Sequence, residues 1–146
     1  MFERCLYFNV NALARRVNTI WDEAFSEFDL SPAHAYLLRL LLETPGLTQT
    51  QITRELKLEK STVTRFVTVL EAKLLLSRDR QGREVLVYPT AKAYGLQERL
   101  NTKGDALYQE MIKALGKAKL TGLVGSMRQS GTDLNKNFYF DEEVKD

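Results

Sequence analysis

One cysteine, Cys5, and one histidine, His34, are all that this chain of 146 residues holds of two residue types central to disulfides, metal sites and acid–base catalysts. A single thiol excludes an intramolecular disulfide framework and fits a reducing cytoplasm. A lone imidazole beside a helix start, without a second histidine or a spaced carboxylate pair, is no metal site. Cys5 and His34 lie far apart and no glycine-rich phosphate loop accompanies them, so no nucleophile–base constellation is present. The expectation is a protein without cofactor, metal or enzyme activity. No run of about 18 apolar residues exists to span a membrane. The first residues, MFERCLYFNV, lack a basic stretch followed by a continuous apolar one, so they do not read as a secretion signal. Internal repeats and low-complexity tracts are lacking as well, and the closing DEEVKD reads as a solvated, frayed tail.

What remains is an ordinary globular composition, 44% hydrophobic and 27% charged. The length suits one domain, or one domain with appended helices. A net charge of +2 diagnoses no partner, but its distribution does. Residues 48–83 carry eight Lys and Arg against four Asp and Glu, which makes this segment +4 and leaves the remainder near −2. Positive charge concentrated on one module is the footprint of phosphate contact.

Residues 3–28 place apolar side chains at Leu6, Val10, Leu13, Val17, Ile20, Ala24 and Phe28, steps of three and four that predict a long amphipathic helix. Ser31 followed by Pro32 caps a second helix that Pro45 and Gly46 end. Thr48 and Gln51 form a capping box before a short helix, 49–56, that buries Ile52 and Leu56. A further helix is predicted over 60–73. Its Val63, Phe66, Val67 and Leu70 make one narrow stripe, with Ser61, Arg65, Thr68 and Ala72 opposite and Thr62 and Thr64 on the flanks. Three threonines and a serine are poor helix formers. A helical face with hydroxyls and one arginine, in place of long solvated charges, suits close approach to hydrogen-bonding partners. Extended runs at 75–80 and 85–88, joined by Gln81-Gly82-Arg83-Glu84, then predict a hairpin. Thr90 caps a long helix over 91–115, Gly116 interrupts it, and a last helix runs over 119–140.

Two short helices, a tight turn and an arginine-loaded hairpin form the pattern of a winged helix-turn-helix. The segments LTQTQITREL, STVTRFVTVLE and REVLVYPTAKA resemble the MarR family of bacterial transcriptional regulators. That resemblance covers nearly the whole chain and implies a mainly α fold with a small β-hairpin wing. It divides the compact chain into an N-terminal dimerisation helix at 1–30, a DNA-binding module at 31–90 and C-terminal dimerisation helices at 91–146. It implies duplex DNA and a second copy of the chain as partners. The DNA-binding residues it carries over, together with the basic residues beside them, are Lys60, Ser61, Thr62, Thr64, Arg65, Thr68, Arg78, Arg80 and Arg83. The spacing of Arg83 to Thr90 matches the family's wing arginine. Two positions depart from the pattern. Gln81 stands where the family has an aspartate that braces the wing arginine. Leu74 stands where it has a helix-ending glycine, so either the helix runs longer or Leu74 takes a left-handed cap.

The resemblance also points to a pocket for a small aromatic or phenolic effector, with Trp21, Phe25 and Tyr36 as candidate walls; helical spacing alone makes them core. Peroxide-sensing members carry a lone reactive cysteine in the first helix, which makes Cys5 a candidate redox residue; lone helical cysteines are more often inert. The leading expectation is a cytoplasmic homodimeric repressor that reads a pseudo-palindromic operator and is released by an effector. The alternatives are a peroxide-sensing regulator through Cys5 and a winged-helix protein-interaction module without DNA binding.

Overall fold

The computed structural model describes residues 1–138. The expected charged tail at 141–146, and the expected helix end at Phe140, lie outside the described residues. Seven helices and a three-stranded antiparallel sheet are present among the described residues. The chain forms two compact units, the first from Met1 to Asp105 and the second from Ala106 onward.

In the first unit α1 spans Leu6–Phe25, and a 3-10 turn, Ser26–Phe28, replaces the last turn of the expected helix. The reason is local: Asp29 takes a left-handed conformation (φ 52°) and closes the turn through its amide to Ser26 O. Glu27 on this turn is tied by ion pairs to Arg99, at 3.0 Å, and to Lys103. Both cations, Lys103 foremost, hold its carboxyl below the usual glutamate value. Helix α2 (Pro32–Glu43) starts as expected, with Ser31 Oγ accepting from the His34 amide. Its Leu37, Leu38 and Leu41 are fully buried with Phe25, Ile52, Val63, Val67 and Leu70, and these form the centre of the core.

A strand of two residues, β1 (Leu47–Thr48), precedes α3 (Gln49–Leu56); two residues carry no periodicity, and sequence reading does not see it. Gly46 makes the approach to β1 possible. Its φ of 81° is left-handed, and a Cβ there would stand 3.0 Å from the Tyr88 ring. The capping box forms with both of its bonds, Gln51 N to Thr48 Oγ1 at 3.2 Å and Thr48 N to Gln51 Oε1 at 2.9 Å. Helix α4 spans Lys60–Ala72, and the hairpin follows as β2 (Leu76–Gln81) and β3 (Glu84–Pro89). Strand order is β1-β3-β2, with Leu47 opposite Val87 and Arg78 opposite Val87 on the other side.

The hairpin strands differ from expectation by one residue at several ends. Leu75 closes the end of α4 instead of opening β2, and the tip narrows to Gly82 and Arg83, with Gly82 at φ 63°. Positive φ at the first of two central residues is the geometry of a tight hairpin turn whose twist matches its strands. The expected helix over 91–115 is broken. A short α5 (Ala91–Tyr94) ends in a tight turn, Leu96 N to Ala93 O at 2.9 Å, before α6 (Gln97–Leu115) begins. Gly116, at φ 82°, then separates α6 from α7 (Lys117–Asn137), two residues earlier than expected.

Candidate nucleic-acid interface

Helices α3 and α4 and the hairpin bring the sequence-predicted site residues onto adjoining elements. Helix α4 buries Val63, Val67 and Leu70 completely. The same period turns Ser61, Thr64, Arg65 and Thr68 outward, while Thr62 is half-buried and Lys60 is exposed at the first turn. Phe66, expected in the buried stripe, is half-buried and meets the His34 ring edge-on at 4.4 Å between centroids.

The hydroxyls differ in how free they are. Thr64 Oγ1 donates to Lys60 O at 3.0 Å and reaches Gln49 Oε1 at 3.2 Å, which fixes α4 to the start of α3. Thr68 Oγ1 donates to Thr64 O at 2.9 Å. The Arg65 guanidinium has only a long 3.5 Å contact to Thr62 Oγ1 and forms no ion pair among the described residues. Glu59 starts the helix without a side-chain cap, so the first amides of α4 keep their donors and their partial positive charge.

Arg80 and Arg83 are exposed on the hairpin. Arg78 is held: its Nη1 lies 3.1 Å from Glu71 Oε1 and its Nη2 donates to Thr68 Oγ1 at 3.3 Å. Gln81 donates to Asp79 Oδ2 at 3.1 Å and leaves Arg83 without a brace among the described residues. The roles of Gln49 and Glu71 were not seen in sequence, because each acts on a partner on another part of the fold.

The aromatic trio is brought together, but not as expected. Trp21 Nε1 donates to Tyr36 Oη at 3.1 Å, and Phe25 lies 5.8 Å from the Tyr36 ring. Phe25 is fully buried, so it is a core residue and not a pocket wall. An open cleft of about 510 Å³ does lie beside Tyr36, walled also by Arg39, Glu43, Leu56 and Asn101, with neither Trp21 nor Phe25 on its lining. In it the Arg39 guanidinium sits over the Tyr36 ring at 5.2 Å and its Nε donates to Asn101 Oδ1 at 3.2 Å. Cys5 is half-buried just ahead of α1, and its carbonyl accepts from the Asn9 side chain at 2.8 Å. No cluster of three His, Cys, Asp or Glu that could hold a metal occurs among the described residues. No described helix is long and apolar enough to cross a membrane.

Helix, turn, exposed polar helix and two-stranded hairpin backed by a third short strand define a winged helix-turn-helix. Residues 28–84 match the model of the MarR family. Solved structures agree in fold over nearly the whole chain. The S. aureus MepR–DNA complex is 20% identical, covers 90% of this chain and 99% of its own, and superposes with a TM-score of 0.79. PcaV from Streptomyces coelicolor, in complex with its natural ligand, is 22% identical over 90% of this chain and 95% of its own, TM-score 0.80. Bordetella bronchiseptica BpsR, whose DNA binding is regulated by 6-hydroxynicotinic acid, is 19% identical over 89% of this chain and 96% of its own, TM-score 0.80. Among curated proteins none matches the sequence.

Proposed function

We propose that this chain is a sequence-specific DNA-binding transcriptional regulator of the cytoplasm, not an enzyme. It acts as a homodimer that represses from a pseudo-palindromic operator and is released by a small aromatic or phenolic effector. The observation that carries the reading is the outer face of α4, where Ser61 and Arg65 stand exposed, with no carboxylate paired to them among the described residues. A helix so furnished fits the major groove, where hydroxyls serve bases or phosphates and arginine forks onto guanine. Lys60, Thr62, Thr64 and Thr68 flank that contact, and Arg80 and Arg83 extend it along the hairpin.

A dimer is supported by the first half of α1, where Leu6, Tyr7, Phe8, Val10 and Leu13 are all exposed. Apolar side chains in that number along one helix suit burial against a second copy. Two recognition helices then read half-sites about one helical turn apart, or a multiple of it. The cleft beside Tyr36 is the candidate effector site, with Arg39 available to an acidic group on the ring.

The test is capture of fragments of the source genome by the purified chain, with Arg65→Ala as control. Wild type should enrich a small set of fragments sharing an inverted repeat, and the variant should lose about 1–3 kcal/mol on them. Equal retention of all fragments, or none, rejects the reading.

A further inference from the structure

The hairpin has little apolar attachment to α4 along its first strand. In β2 only Leu76 is buried, and everything from Ser77 to Gln81 is exposed. Alternation along the strand puts Arg78 and Arg80 on the same face as Leu76. Arg78 converts that placement into a link. It pairs with Glu71 at 3.1 Å and donates to Thr68 at 3.3 Å, two residues three apart on α4, and Thr68 is in turn anchored on Thr64 O. Among the described residues no other side chain of β2 or β3 is bonded to α4. At the tip, Gln81 turns to Asp79, and Arg83 has no partner among the described residues.

We propose that Arg78 is a positioning residue: clasped by Glu71 and Thr68 at the base of the wing, it sets the angle between α4 and the hairpin, and so where Arg80 and Arg83 meet the duplex. The proposal rests on the DNA-reading function above. Glu71 already neutralises Arg78, so a phosphate would have to displace that carboxylate to recruit it. Both partners are about one-third exposed, at 34% and 31%. An ion pair that open to water adds little to global stability, so its effect falls on geometry.

Glu71→Gln separates the two roles of Arg78. It removes a negative charge beside the DNA face while preserving size, so a purely electrostatic role makes the variant bind duplex more tightly. A brace does the reverse. On a duplex selected by the wild-type chain from a random pool, Glu71→Gln should bind roughly three- to tenfold more weakly, the coupling expected of a small polar network. The double exchange Glu71→Arg with Arg78→Glu should recover most of that loss. In the DNA-free chain the amides of residues 79–86 should exchange faster in Glu71→Gln and return toward wild type in the double exchange, with the unfolding midpoint little changed. Tighter binding by Glu71→Gln, or unchanged exchange over 79–86, overturns the proposal. If the wild type selects no duplex at all, the DNA-reading function fails, and the exchange measurement still decides whether Arg78 braces the wing.

Discussion

The amide of Leu75 donates to the carbonyl of Leu70 at 2.9 Å, and the residue between this closure and the helix, Leu74, is held left-handed at φ 58°. Leu74 N to Glu71 O, also 2.9 Å, completes the two bonds of a Schellman cap, with Leu70 and Leu75 buried against the same core. Of the two options left open by the sequence at this position, the strained cap is the one adopted. A β-carbon in this conformation costs roughly 1–2 kcal/mol, partly regained because leucine restricts the unfolded chain more than glycine does. The Leu74 side chain is 68% exposed, so little packing is lost with it. Leu74→Gly should raise unfolding stability by about 0.5–1 kcal/mol. Denaturant titration of both proteins checks this; a less stable glycine variant would mean that the leucine side chain holds the cap by packing.

The parts of the fold legible in sequence are those decided within one or two helical turns. Val63, Val67 and Leu70 are spaced for one face and are all fully buried, and Thr48 with Gln51 states its capping box in four residues. What escaped is decided across the chain. The pairing of Leu47 with Val87 has no local trace, nor does Arg39 reaching Asn101 over 62 residues. Gly95 breaks the helix after α5 while keeping a helical φ of −63°, so no left-handed signal marks it. Within the site, the residue types on α4 and the wing were readable, but not which of them are engaged. Arg78 and Thr64 look as free in sequence as Arg80 and Ser61, and only the fold shows the first two bonded to Glu71 and Gln49.

His34 ties stability to pH near neutrality. Its Nδ1 lies 2.8 Å from Ser31 Oγ, its ring meets Phe66, and burial first, then the Lys73 ammonium, hold it below its ordinary value of 6.5. With the folded value depressed, the unfolded chain binds the proton first as pH falls. The contribution is therefore complete above 6.5 and is lost as pH drops through the folded value. Asp29, held low by its hydrogen bond to Lys73, loses its contribution in a separate and more acid window. His34→Gln should flatten the stability profile as pH falls below 6.5 and leave the more acid limb in place. Parallel profiles for the two proteins across that range would show that another group is responsible.

The exposed apolar side chains at the start of α1 set an expectation for assembly. Deleting residues 1–20 takes away Leu6, Tyr7, Phe8, Val10 and Leu13 together with the half-buried Val17 and Ile20 that lead into the core. The truncated chain should aggregate or unfold, and the full chain should sediment as a dimer at micromolar concentration. A well-behaved full-length monomer at that concentration counts against the homodimer.

Arg83 stands at the hairpin tip beside Gly82, with no partner among the described residues, whereas Arg65 projects from the outer face of α4. At the tip a side chain can enter the minor groove and respond to its narrow, electronegative A·T stretches. Ordering that side chain on binding costs up to about 2 kcal/mol, which offsets part of what the contact contributes. Arg65 bears the same side-chain cost but starts from a helix whose backbone is already fixed, so it loses less of its contact energy to backbone ordering than a residue at a two-residue hairpin tip. Arg83→Ala should therefore weaken operator binding less than Arg65→Ala, lower the salt dependence by about one unit of slope per lost phosphate-type contact, and relax preference at flanking A·T pairs. A salt titration of both variants on one operator makes the comparison. If Arg83→Ala loses more than Arg65→Ala, the wing dominates affinity and the recognition helix serves mainly to choose the sequence.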